Sequence, residues 1–439
     1  MSQPGARGLI LGVALFCGLM HTADCAGADN PATKPNIVVF CVDDMHFNVP
    51  GCYGGEFAPT PHIDALAENG VRFTDGYVTA PVCSPSRAGL LTGRYQQRSG
   101  HDFNTLGPGT ELDLREVTMG QRLQAAGYRT AIIGKWHLGS TSSEYLPGSR
   151  GFETAFGSLE NVKGGYFYRG SGPAAAPPES PISSGVYGRE ACSFIERKSN
   201  DPFLLVLSFN ALHIPLEAQA TTLRRFAHLD VRLQRFAAVL TECDDAIGAV
   251  MSKLRSLSLE ENTLVFFVSD NGSPLGIENS GMRGGKGDLF EGGLRVPFIV
   301  QWKGRIPAGR VLREPVVQLD ILPTAAAAAG IDSVNEWQLD GLNLLPLLEG
   351  ATQSLDREAI YWRYGNRFAV RQGDWKLVKA NQAQPPLLFN LATDLGETSD
   401  LSATQPDKAK HLLDLWSRWN TQMQPYRWVD PRWNGEPRP

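Results

Sequence analysis

The apolar run Leu9–Met20 of this 439-residue chain is too short to cross a bilayer, which excludes a membrane span there. Positive charge is not in excess: 41 lysines and arginines face 46 acidic residues, a formal net charge of −5. That excludes a uniformly basic, polyanion-coating surface, and an anionic ligand would need a focused cationic site. No internal repeat and no nucleic-acid motif occurs, so no nucleic acid partner is expected. The glycine-rich run 284–293 lacks the Gly-Lys-Ser/Thr ending of a phosphate-binding P-loop and instead suits close passage of the backbone past a site. Cysteine is scarce, at seven residues.

Residues 1–28 carry Arg7, the apolar run and small residues ending at Ala26-Gly27-Ala28, the order of a signal peptide cut before Asp29. Export to the periplasm or beyond the cell is therefore expected. The residues before Cys17 and Cys25 form no convincing lipoprotein box, which disfavours a lipid anchor. Cleavage removes Arg7 and Asp24, one charge of each sign, so the charge of −5 is kept. Cys41, Cys52, Cys83, Cys192 and Cys243 remain. Cys41 sits in an apolar run and reads as a buried thiol. With Cys83 set aside, the other four allow about three pairings into two disulfides, which spacing does not separate.

Apolar, β-branched runs at 37–42, 131–133, 204–209, 265–268 and 297–302 lack polar alternation, as strands buried on both faces do. Helical patterns fall between them at 61–69, 117–126, 223–257 and 317–329. This alternation predicts an α/β fold with a large, mostly parallel or mixed sheet sandwiched by helices, over residues 29–335. The stretch 164–185, rich in Gly, Pro, Ala and Ser, reads as a long surface loop rimming the site. Over 336–439 the texture changes. Short strands at 360–363, 367–372, 375–379 and 387–390, then an amphipathic helix at 406–422, predict a smaller antiparallel α+β subdomain.

Ligands of open α/β sheets gather at the carboxyl ends of strands, and the unusual polar residues lie there. Asp43-Asp44 ends the first run and Asp270-Asn271 the fourth. Either pair alone serves turns and caps just as well. Together they offer hard oxygen donors, suited to calcium or magnesium and not to zinc. A glycan on the sequon Asn271-Gly272-Ser273 would destroy such a site, which favours a bacterial origin. Lys135 and His137 follow the second run, His213 follows the third, and Lys286 lies in the glycine-rich run.

The densest signal is CSPSRAGLLTGR, Cys83 to Arg94. Pro85 suits a first helical turn, and Arg87 lies one turn beyond Cys83 on the same face, so a nucleophile would stand beside an anion site. Three residues separate Cys83 from Arg87, too few for the loop of cysteine phosphatases. The run resembles the signature of the type I, formylglycine-dependent sulfatases of the alkaline-phosphatase-like superfamily. Asp43-Asp44, the Cys83 signature, Gly134–Gly139, His213, Asp270-Asn271 and Lys286 occur in that family's order, and 373–380 with 388–397 resemble its C-terminal domain.

The resemblance implies a sulfuric ester hydrolase in which a maturation enzyme converts Cys83 to formylglycine. It implies one calcium held by Asp43, Asp44, Asp270, Asn271 and an oxygen of modified Cys83. It further implies that the hydrated aldehyde attacks sulfur, that His213 and Lys286 assist the leaving oxygen, and that His137 takes the proton that releases sulfate. Arg87, Lys135 and Lys286 would hold the sulfate oxygens. A sulfated saccharide is the expected substrate, with His101, Asp102, Tyr166, Tyr168 and Arg169 as candidate sugar contacts. An arylsulfatase, a phosphate or phosphonate ester hydrolase on the same fold, and a non-catalytic glycan-binding protein with unmodified Cys83 remain as alternatives.

Overall fold

The computed structural model describes Met1 and residues 34–160, 167–169, 172–174, 184–197, 199, 201–276 and 281–430. The expected signal peptide lies outside the described residues. In chain order the strands are β1 (Asn36–Val42), β2 (Val71–Phe73), β3 (Gly76–Tyr77), β4 (Arg129–Gly134), β5 (Thr154–Ser158), β6 (Phe167–Arg169), β7 (Gly172–Ala174) and β8 (Phe203–Ser208). They continue with β9 (Thr263–Ser269), β10 (Phe298–Gln301), β11 (Arg310–Leu312), β12 (Val316–Val317), β13 (Ile360–Tyr364), β14 (Arg367–Gln372), β15 (Trp375–Lys379) and β16 (Leu387–Asn390). The α-helices are α1 (Pro61–Glu68), α2 (Cys83–Thr92), α3 (Met119–Ala125), α4 (Ser184–Glu196), α5 (Ala220–Arg225), α6 (Val231–Ser256), α7 (Glu291–Leu294), α8 (Ile321–Ala328), α9 (Leu345–Leu348) and α10 (Pro406–Asn420).

A ten-stranded sheet runs in the order β11-β2-β10-β9-β1-β8-β4-β5-β6-β7. Its centre, β9-β1-β8-β4-β5, is parallel throughout, while β10 and the β6-β7 hairpin run antiparallel to their neighbours. Strand β1 shows why its sequence does not alternate. Ile37, Val39 and Cys41 enter the core on one side, with Leu90 and Leu91 of α2, and Ile321 and Leu322 of α8. Val38, Phe40 and Val42 enter the core on the other side, with Tyr187 of α4 and Phe236 and Ile247 of α6. Both faces are covered, so both must be apolar.

Strands β13 to β16 form the expected antiparallel meander, and Leu412, Leu415 and Trp419 of α10 share its core. From Lys34 onward the described residues form one compact unit.

Three expectations are corrected. The stretch 164–185 holds the β6-β7 hairpin, which extends the sheet edge, and the start of α4. The single helix expected over 223–257 is two, because the Asp230 side chain accepts the Arg232 and Leu233 N–H groups and starts α6 afresh. Cys52, Cys192 and Cys243 are free thiols, as is buried Cys41, so no disulfide joins them.

Candidate active site

Because β9, β1, β8 and β4 are consecutive parallel neighbours, their carboxyl ends lie side by side, and each hands over polar residues. Asp43-Asp44 leaves β1, Asp270-Asn271 leaves β9, Lys135 and His137 leave β4, and His213 follows β8. Backbone bonds cross-link these exits: Asp43 N–H to Ala211 O at 2.7 Å, Asp270 N–H to Val42 O at 3.0 Å, and Lys135 N–H to Ser208 O at 2.7 Å. Gly134 has φ 111°, and a Cβ there would run into the Ser208 carbonyl, so only glycine permits the turn toward Lys135. Asp44 and His137 hold positive φ, 58° and 60°, a strained state for such residues at the centre of the site.

Helix α2 brings Cys83 to this point. Every residue of α2 is buried, and its end is set by Gly93 at φ 66°. No side chain of its own caps it, and Asn104 Oδ1 instead accepts the Ser84 N–H at 3.0 Å. Cys83 Sγ lies 3.4 Å from Asp43 Oδ1, and ligand atoms of Asp43, Asp44, Cys83 and Asp270 all lie within 4.8 Å of one another.

Cations surround these carboxylates. Lys135 Nζ is 2.5 Å from Asp43 Oδ2, and Lys286 Nζ is 2.7 Å from Asp44 Oδ1. Arg87 donates to Asp270 Oδ2 from Nε at 2.9 Å, and to the Lys135 carbonyl and Ser208 Oγ from Nη1. Arg87 is buried, with only 3% of its side chain exposed. Burial pushes the Asp43 carboxyl up, but Lys135, His213 and Arg87 together hold the group below the ordinary range. Asp270 is raised, by burial and then by Asp43. Burial and the Lys135 charge push His137 well below the ordinary histidine range, so its imidazole is neutral, with Nδ1 unpartnered. His213 is lowered by burial and lies 3.9 Å from Asp44 Oδ2.

Among the described residues, two buried oxygens of the site, Asp44 Oδ2 and Asn271 Oδ1, have no hydrogen-bond partner. Orphaned hard oxygens beside clustered carboxylates are what a divalent cation satisfies, so the residues fit such an ion. Burial and the Asp43 charge push the Cys83 thiol far up. A protonated thiol is neither an effective nucleophile nor a ligand for a hard cation.

Comparisons with known proteins identify the family. Residues 35–331 match the sulfatase family model, and residues 285–423 match the model of the N-sulphoglucosamine sulphohydrolase C-terminal region. The chain belongs to the sulfatase family. The N-acetylgalactosamine-6-sulfatase of Canis lupus familiaris is 35% identical, over 82% of this chain and 74% of that protein. Human arylsulfatase A is 33% identical, over 84% of each. The crystal structure of Ps i-CgsB in complex with k-i-k-neocarrahexaose superposes with a TM-score of 0.83 at 30% identity, over 90% of this chain and 95% of that one. This sulfatase is a type I sulfuric ester hydrolase of alkaline-phosphatase-like fold, which sets aside the reading as a non-catalytic binding protein.

Not every expected residue of this sulfatase reaches the site. His101 and Asp102 are fully buried. His101 Nε2 meets Ser84 Oγ at 2.8 Å, and Arg363 clamps both Asp102 oxygens at 2.8 and 2.9 Å, so neither is presented to a sugar. Tyr166 and the side chains of Tyr168 and Arg169 lie outside the described residues. Ser208 and Asn104 went unforeseen. A polar residue ending the apolar run of β8 is a signal for the first, and a lone loop asparagine gives none for the second.

Proposed function

We propose that this sulfatase is an exported bacterial enzyme that removes sulfate from a sulfated carbohydrate, using calcium and a formylglycine made from Cys83 by a maturation enzyme. The clustering of Asp43, Asp44, Cys83 and Asp270 within 4.8 Å, ringed by Lys135 and Lys286, carries the assignment of the site. The carbohydrate is supported by the relatives, one named for N-acetylgalactosamine 6-sulfate and one solved with a neocarrahexaose.

Asp43, Asp44, Asp270, Asn271 and an oxygen at position 83 would hold the calcium, which when bound stabilises negative charge beside residue 83. The converted residue would supply an oxygen nucleophile in place of a buried, protonated sulfur. Lys135 and Lys286 bind the sulfate oxygens, and Lys286 with His213, both beside Asp44, serves the departing alcohol oxygen. Neutral His137 accepts the proton that residue 83 gives up when sulfate is released. Arg87 steadies Asp270 and the Lys135 carbonyl.

Desulfation of a panel of defined sulfated saccharides, run beside an aryl sulfate and an aryl phosphate, tests the reading. At least one saccharide should exceed the aryl sulfate in kcat/KM by about tenfold or more, because remote sugar contacts are realised in the transition state. Faster turnover of the phosphate would replace this reading with a phosphate or phosphonate ester hydrolase.

A further inference from the structure

Lys286 is carried by a loop that the C-terminal sheet grips at two points. The loop closes on itself through the Gly292 N–H to Arg283 O bond at 2.9 Å. Its middle lies against the site: Lys286 N–H donates to Ser273 O at 3.1 Å, Gly287 N–H to Pro81 O at 2.8 Å, and Gly272 N–H to Gly293 O at 3.1 Å. A Cβ on Gly272 would strike the Gly292 carbonyl, so the loop and the segment after Asn271 have no slack between them.

Both grips end on one residue beyond β16. Glu397 Oε2 accepts the Glu291 N–H at 2.6 Å, and the Glu397 carbonyl accepts Arg283 Nη1 at 3.1 Å. Glu397 sits at φ 52°, a left-handed state that a glutamate adopts only when its surroundings impose it. Lys376 of β15 lies between the two acids, 2.8 Å from Glu291 Oε1 and 2.9 Å from Glu397 Oε1. Glu291 Oε2 is taken by Tyr77 Oη and Arg295 Nε, each at 2.6 Å. The side chains of Lys376, Glu291 and Glu397 are all 0% exposed. A fully buried ion cluster is weak evidence for stability, since apolar replacements often fold as well; its best-attested use is to set register.

We infer that Lys376 and Glu397 are positioning residues that hold the 283–293 loop in register, so that the Lys286 ammonium meets the departing oxygen. The inference rests on the role of Lys286 given above. Its test compares 4-nitrophenyl sulfate, whose leaving group needs little help, with phenyl sulfate, whose leaving group needs more. Lys286→Ala raises the nitrophenyl-to-phenyl ratio of kcat/KM by about tenfold or more. Lys376→Met raises it in the same direction, and added to Lys286→Ala lowers the rate less than about twofold further, because both changes remove one interaction. Glu397→Gln, which keeps the volume and one acceptor, gives a smaller shift of the same sign and serves if Lys376→Met does not fold.

Equal slowing of both substrates by folded Lys376→Met overturns the inference, as does a loss that multiplies that of Lys286→Ala. Failure of both Lys376→Met and Glu397→Gln to fold assigns the cluster to stability and also overturns it. An unchanged ratio in Lys286→Ala is a different failure: it removes the leaving-group role of Lys286 itself, and the inference with it.

Discussion

Asn271 brings a neutral amide oxygen to the proposed ligand set, and this Oδ1 is buried without a partner among the described residues. Replacing it with alanine deletes one donor and leaves Asp43, Asp44 and Asp270 in place. In the wild type, calcium at about 100 times its Kd should stabilise the fold by about 2.7 kcal/mol. In Asn271→Ala a roughly tenfold or greater loss of affinity should cut this to less than about 1.5 kcal/mol at the same concentration. Thermal unfolding with and without calcium reads the difference; equal stabilisation of the two proteins would remove Asn271 from the site. Such residues were legible because each pair ends an apolar run or sits in a dense motif. Asn104 was not, because its bond to Ser84 forms only in the folded chain, and the strand-end position of Ser208 marks the residue but not its bond to Arg87. His101 and Asp102 misled for a related reason: proximity to the signature in sequence put them under α2 and against Arg363, inside the protein.

At the scale of elements, helix α1 borrows its cap. Its own N-cap residue, Thr60, makes no side-chain capping bond, and Asp244 of α6 accepts the His62 and Ile63 N–H groups at 3.1 and 2.8 Å. Asp244→Ala should cost about 0.5–2 kcal/mol, the usual range for a lost cap. Burial outweighs those two bonds and pushes the Asp244 carboxyl up to about 6. The native state then binds this proton more tightly than the unfolded chain. The group's contribution is greatest below the ordinary carboxylate range and is lost as pH rises through about 6. Urea unfolding should show the stability of wild type relative to Asp244→Asn increasing from pH 7.5 to 5. A flat or opposite trend would contradict the assignment. The central strands were legible because two-sided burial leaves unbroken apolar runs. Helix α4 was not, because Gly185 and Gly188 interrupt its first turns after a Gly- and Pro-rich stretch.

For the whole molecule, the C-terminal sheet is tied to the segments on either side of α2. Trp362 Nε1 donates to Val78 O at 2.7 Å, ahead of α2, and Arg363 holds Asp102, behind it. Farther along the sheet, Lys376 meets Glu291. The strands themselves could be read from turn residues, as at Gly373 with φ 57° between β14 and β15. Their closure onto α2 and the Lys286 loop could not, since it joins residues far apart in the chain. The proposed chemistry depends on residue 83, whose thiol is buried and held far above its ordinary range. The mass of the peptide carrying residue 83, taken from a preparation of known sulfate-release rate, therefore tests the central claim most directly. Conversion of thiol to aldehyde should leave that peptide about 18 Da lighter than its sequence, in a fraction that tracks activity. Full activity from a chain whose Cys83 peptide has its unmodified mass would contradict it.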